Sequence, residues 1–367
     1  MNVLIVSNMF PDKKNPSYGI FVSRFCKQLE QLDVSYDKAV MNKGINKIRK
    51  VLNYIKFYCE TFIKCLLYKY DVVYIHYASH SSAPVLAANR FKKQNIVVNV
   101  HGSDVVPENK KQEKMQKYTC DILKCSNAVV VPSEYFCQYV SKKYDYKKDK
   151  IYVYPSAGID NNIFYPFKDE KRVSCIREFN LSLNKLKIGY IGRISASKGW
   201  DTFVKAVSFI NDYDNFEFIL VGTGSEDAKL DELIQKCQLK NSIIRFPLLS
   251  QVELAKMYNC LDVLIFPTER EGESLGLVAV EAMACGTPVV SSDFAAPKYY
   301  IEDGVNGYKF EMGNEYALSQ LILKFAQITS KEIDMLKQGA LNTAQYYYVD
   351  NIINRLNKIF KVIENER

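Results

Sequence analysis

Short apolar runs alternate with longer stretches in which apolar residues recur every third or fourth position, and this rhythm occurs twice. In the first half, residues 3–6, 72–75, 96–100, 128–131 and 151–154 read as strands. They are short, rich in Val and Ile, and bounded by polar or turn-forming residues. Residues 18–32 read as a helix, because Phe21, Phe25, Leu29 and Leu32 fall on one face. In the second half, residues 187–191, 216–221, 243–246, 263–266 and 288–291 read as strands. The intervening stretches 200–210, 227–238, 251–259 and 275–284 read as helices, and a last helical stretch covers 342–363.

Alternation of β and α on this scale predicts an α/β fold with parallel sheets covered on both faces. Two such series predict two Rossmann-like domains whose sheets face each other across a cleft. The polar stretch 166–185 breaks the pattern, so the domains are expected at 1–165 and 166–342, followed by a helix at about 343–367.

Composition narrows the setting. The 367 residues are 48% hydrophobic, enough for two sizeable cores. The ten cysteines are scattered without a CxxC pair, which suits free thiols in a reducing compartment. No run of eighteen apolar residues occurs and the N-terminus reads as a strand, so the expected location is cytoplasmic. A net charge of +8 fits an anionic ligand or an acidic membrane surface and does not call for nucleic acid.

Candidate chemistry concentrates in the second half. Glu273 and Glu281 are separated by seven residues, with Gly276 between them and a small, helix-favouring run after it. Ser274 is the expected N-cap, which puts Glu273 at a helix mouth and Glu281 about two turns inside. Free amides flanked by carboxylates suit a ligand that is both anionic and rich in hydroxyls, such as a sugar nucleotide. Gly192 to Gly199 joins a strand to a helix and carries Arg193 and Lys198 at the strand's carboxyl end. A guanidinium fork and an ammonium together suit a diphosphate. At an effective dielectric near 20, each charge about 4 Å from a phosphate contributes on the order of 4 kcal/mol before desolvation. Gly222 and Gly224 form a G-x-G turn, a weak signal for close backbone approach to a ligand.

The first half offers less. His101 and Asp104 follow a strand, where the imidazole can meet a sugar hydroxyl and the carboxylate can orient an acceptor or an imidazole. His76 and His80 flank an earlier strand end as possible lining of the cleft. Gly19 closes a long loop and sits at a helix start. Residues 43–69 are basic and aromatic, which fits either a helix lying on an anionic membrane or a solvated helix covering a sheet. Asp212 and Asp214 spell D-x-D in a polar turn, and no His, Cys or carboxylate cluster calls for a metal.

The ordered motifs ESLGLVAVE, EAMACGTPVV, GRISASKG, PSAGIDNNIF, VGTG and DGVNG resemble those of the GT-B retaining glycosyltransferases of family 4. The resemblance implies that the C-terminal domain binds a nucleotide-diphosphate sugar such as a UDP-sugar. Arg193 and Lys198 would then hold the diphosphate, Glu281 the ribose and Glu273 the transferred sugar, with amides near Leu275, Gly276 and Leu277 on phosphate and sugar. It also implies that His101 meets the donor sugar, that transfer retains configuration without a metal or other cofactor, and that the last helix packs back on the N-terminal, acceptor-binding domain. The acceptor would be a glycan or a polyprenyl-linked glycan. This chain departs from the family pattern in carrying only Gly19 in its first loop, Leu275 in place of an aromatic, and Lys298 in place of a glutamate. A sugar-nucleotide epimerase or hydrolase, and a non-catalytic sugar-nucleotide-binding subunit, are the alternatives.

Overall fold

A computed structural model describes residues 1–155, 158–210 and 214–365, and it divides the chain into two compact units. One is Met1–Gly158 together with Ile352–Arg367, and the other is Ile159–Asn351. The division thus falls ahead of the 166–185 stretch. That stretch contains the helix Asp169–Glu178, which buries Cys175 and Ile176 and anchors Arg172 on Asp262 at 2.7 Å. Its polarity is that of a helix with one narrow buried edge.

The first unit is built on six parallel strands: β1 (Asn2–Phe10), β2 (Ser35–Asn42), β3 (Val72–His76), β4 (Ile96–Asn99), β5 (Ala128–Val131) and β6 (Ile151–Val153). Their order is β2-β1-β3-β4-β5-β6. β3, β4 and β5 are fully buried and read as unbroken apolar runs. β2 is an edge strand of sequence SYDKAVMN, and its polar half hides it from an apolar-run reading.

The second unit has β7 (Leu186–Ile191), β8 (Phe216–Val221), β9 (Ile243–Phe246), β10 (Val263–Phe266), β11 (Val289–Ser292) and β12 (Gly307–Phe310). Their order is β12-β11-β10-β7-β8-β9, again all parallel. β12 is the second edge strand absent from the sequence pattern, being only GYKF.

In each sheet the order reverses beside the first strand. β1 lies between β2 and β3, and β7 lies between β8 and β10. Loops leaving the carboxyl ends of the strands on either side of that point diverge and leave a crevice for ligand. The expected C-terminal helix, 342–363, takes in the end of one helix, Ser330–Gln345, and most of another, Val349–Asn365. The second buries Ile352, Leu356, Ile359, Phe360 and Ile363 against Val3, Ile5, Phe25 and Tyr74 in the core of the first unit.

Candidate functional site

The loops leaving β7 and β10 carry Arg193, Lys198 and Glu273, and both leave at the reversal point of the sheet. Close backbone approach holds them together. Gly199 opens the helix Trp200–Ser208 at φ 71°, and a Cβ there would lie 1.8 Å from the Pro267 carbonyl oxygen. The Glu269 amide donates to the Ser197 carbonyl at 3.0 Å, which clips the two loops together. On the other side, Cβ atoms at Gly222 and Gly224 would each lie 2.0 Å from a carbonyl oxygen, of Gly192 and Ile194 respectively. The Ile194 amide in turn donates to Thr223 at 3.2 Å. These two glycines thus let the β8 loop lie on the β7 loop, whereas the sequence reading gave that approach to a ligand. Gly192 donates its amide to Val221 at 3.0 Å.

Within this frame the Lys198 ammonium meets the Glu273 carboxylate at 2.5 Å, with side chains 22% and 9% exposed. Thr268 Oγ1 lies 3.5 Å from the same carboxylate oxygen, and the buried Tyr190 hydroxyl lies 3.3 Å from the Lys198 carbonyl. The Arg193 guanidinium is exposed and makes no hydrogen bond or ion pair among the described residues. The two cations therefore differ: Lys198 is neutralised by Glu273, and Arg193 is free.

Ser274 is not the N-cap. The helix Leu277–Ala284 starts two residues later, at Gly276 with φ 76°, and no side chain caps it. A Cβ at Gly276 would lie 2.9 Å from the Phe266 ring and 3.0 Å from the Tyr300 hydroxyl. That hydroxyl donates to the Leu275 carbonyl at 2.9 Å and buries Leu275, whereas Leu277 stays exposed. The first-turn amides of an uncapped helix are open to an anion. Glu281 accepts the Tyr258 hydroxyl at 3.1 Å, and burial together with this carboxylate raises the phenol well above its ordinary range. Tyr258, Tyr190 and Tyr300 support the site but left no signal in the spacing of the motif.

In the first unit, His76 Nδ1 and His101 Nε2 are 3.1 Å apart. Burial, and His101 itself, hold His76 well below the usual imidazole range, and burial lowers His101 to about 3. Both rings are therefore neutral near pH 7, and one must donate to the other. Phe21 packs on His101 with centroids 4.3 Å apart. His80 is half-buried with Nδ1 at 2.9 Å from Ser79 Oγ. Asp104 does not orient an imidazole. Its carboxylate accepts the amides of Ala78 at 3.0 Å and of His101 and Gly102 at 2.9 Å, so it fixes the turn's backbone. Burial pushes this carboxyl up to about 6 against those three bonds. Gly19 caps the helix Ile20–Gln31, and a Cβ there would lie 2.5 Å from the Met9 carbonyl carbon.

Among the described residues, no three or more His, Cys, Asp or Glu side chains form a group able to hold a metal ion. The D-x-D reading lies outside them, since Asp212 is not described. No helix among them is long and apolar enough to cross a membrane.

Two family models match: Glycosyltransferase Family 4 over residues 23–160 and Glycosyl transferases group 1 over residues 175–341. The D-inositol 3-phosphate glycosyltransferase of Xylanimonas cellulosilytica is 27% identical over 249 residues, which cover 65% of this chain and 59% of that protein. The chain thus aligns with under two thirds of that curated relative. Sucrose-phosphate synthase from Thermosynechococcus elongatus superposes with a TM-score of 0.79 at 18% identity, covering 100% of this chain and 99% of the other. Anabaena HepE in complex with UDP superposes with a TM-score of 0.76 at 16% identity, covering 99% and 100%. At these identities the two structures establish a shared fold.

Proposed function

We propose a reaction from one premise: the chain belongs to the family 4 (group 1) glycosyltransferases of GT-B fold. It is a retaining glycosyltransferase that moves a sugar from a nucleotide diphosphate to a hydroxyl of a glycan or polyprenyl-linked glycan, in cell-surface polysaccharide or glycoconjugate synthesis. The observation that carries this reading is the Lys198–Glu273 pair at the reversal point of the sheet, with Arg193 unpaired on the same loop as Lys198.

A donor diphosphate would recruit Arg193 directly and draw Lys198 from Glu273. Glu273 is then released to accept hydrogen bonds from the sugar's hydroxyls, and Glu281 accepts those of the ribose. As the sugar–phosphate bond breaks, charge grows on the departing diphosphate, and the two cations stabilise it most at that moment. That charge balance needs no metal ion, so turnover should survive a chelator. The acceptor attacks from the face the diphosphate leaves, and the anomeric configuration is retained. His101, neutral and held by His76, offers a ring nitrogen to a sugar hydroxyl. UDP is the proposed leaving nucleotide, on the strength of the UDP bound to HepE. Residues 43–69 lie on an anionic membrane surface in this reading.

A panel of UDP-, GDP- and ADP-sugars, with nucleotide release followed with and without free and lipid-linked glycans, tests the assignment. Acceptor-dependent release from one donor is expected. Donor consumption that needs no acceptor would instead identify an epimerase or hydrolase. Binding without turnover would identify a sugar-nucleotide-binding subunit. An inverted product by NMR would overturn the retaining mechanism.

A further inference from the structure

Strand register brings two imidazoles of the first unit edge to edge. His76 ends β3 in register with Asn99, the last residue of β4, and His101, two residues on, returns to the same face. His76 Nδ1 and His101 Nε2 are 3.1 Å apart, with ring centres 5.3 Å apart and planes 24° from parallel. The centres are separated by little more than that contact and the two ring radii, so the nitrogens point at each other as a hydrogen bond requires. Both rings are neutral near pH 7, and each carries one N–H. A single hydrogen therefore lies between them, and it can belong to either ring.

The two choices differ at the far nitrogens. If His76 donates from Nδ1, its Nε2 is bare and His101 carries its hydrogen on Nδ1. If His101 donates from Nε2, His76 carries a hydrogen on Nε2 and the Nδ1 of His101 is bare. His76 is 1% exposed, and its Nε2 has no hydrogen-bond partner among the described residues. The rings around it are those of Phe25, Tyr74 and Phe21, with centroids 4.7, 5.1 and 6.0 Å away. An N–H buried there would exchange water for at most a weak contact with a ring face. Buried donors without a partner are rarer than buried acceptors without one, so the bare Nε2 is the better fit. The outer nitrogen, Nδ1 of His101, makes no hydrogen bond among the described residues and is not enclosed as His76 Nε2 is.

Resting on the reading that His101 meets the donor sugar, we infer that His76 is a positioning residue: it holds His101 in the tautomer whose outer nitrogen donates to a sugar hydroxyl. The hydroxyl oxygen accepts that bond and keeps its own hydrogen for a second partner. The opposite tautomer would take that hydrogen and leave the oxygen without a donor from this ring.

Long-range proton–nitrogen NMR spectra of the full chain, isotope-labelled in its three histidines, read the hydrogen on each ring directly. At pH 7, His76 and His101 should both carry it on Nδ1. Hydrogens on Nε2 of both rings would overturn the inference. Two variants then separate positioning from packing. His76→Leu keeps bulk and loses the donor, whereas His76→Asn keeps a donor near the place of Nδ1 and loses bulk. With nucleotide release followed for the donor that the nucleotide-sugar panel selects, His76→Leu should lower kcat/KM about tenfold, the worth of one hydrogen bond. His76→Asn should recover most of that loss. Thermal melts should rank the two the other way, because Asn leaves a cavity among aromatic rings. Activity that follows stability, with Leu above Asn, would reduce His76 to packing and overturn the inference. Unchanged release by His101→Ala, with the Nδ1 hydrogens present, would instead remove the sugar contact and leave the tautomer standing.

Discussion

The site holds its charges in a specific pairing, and single substitutions should report it. Arg193 is exposed and unpaired, so Arg193→Ala should leave the fold intact while lowering kcat/KM by about 10²–10³, the usual cost of one transition-state charge partner. A drop of less than tenfold would remove Arg193 from the diphosphate. Lys198→Ala should cost a similar factor in rate and also destabilise, because Glu273 is 9% exposed and would lose its cation. Asp104 and the histidine pair give a pH test in the first unit. His76 and His101 have folded values below the ordinary 6.5, so the unfolded chain takes up protons that the fold refuses. Their contribution to stability is complete above about pH 6.5 and is lost as pH falls towards about 3. Asp104 has the opposite sign. Raised from 3.8 to about 6, it favours the fold below that window, and this contribution is lost as pH rises through it. Two histidines against one carboxyl should make the first unit less stable at pH 4.5 than at pH 7 in urea titrations. Asp104→Asn, which removes the opposing slope, should steepen the fall. A pH-independent midpoint would contradict neutral, buried imidazoles.

Loops that carry the motif residues are set by backbone contact between elements. Gly199 and Gly304 have similar dihedrals, φ 71° and 76°, but a Cβ at 199 would strike the Pro267 carbonyl, while nothing lies within 4 Å at 304. Gly304→Ala should therefore cost about 1 kcal/mol, the intrinsic left-handed penalty. Gly199→Ala should cost several-fold more, because it must also part the β7 and β10 loops. Equal midpoints in denaturant would show that the loops are not clipped. The same contact explains why the strand-end motifs were legible one at a time while their mutual support was not. The Gly192–Gly199 and Glu273–Glu281 segments announce themselves by composition, yet the residues joining them act across sequence separations that leave no periodic trace. Lys198 reaches Glu273 and the Glu269 amide reaches Ser197 in this way. The helix start slipped from Ser274 to Gly276 for a related reason. The Leu275 carbonyl is held by Tyr300, which keeps that residue out of the helix.

At the scale of the molecule, the C-terminal helix belongs to the first unit's core although the second unit intervenes in sequence. Removing residues 352–367 would expose the contacts of Ile352, Leu356, Ile359, Phe360 and Ile363. At roughly 1.5–3 kcal/mol per buried aliphatic or aromatic side chain, the loss rivals a whole domain's stability of about 5–15 kcal/mol. Limited proteolysis of the truncated chain should then degrade residues 1–158 and spare 159–351. Survival of both units would show the helix to be dispensable. By itself the sequence determined the α/β class, the doubled series of parallel strands and the residues with the chemistry for a sugar nucleotide, because periodicity and local composition are properties of neighbours along the chain. Only the tertiary structure decided the edge strands β2 and β12, the pairing of Lys198 with Glu273 and the use of Asp104 on backbone amides. Each of these depends on which distant groups share a buried or half-buried space, and there a charge or donor takes whatever partner the packing brings within reach.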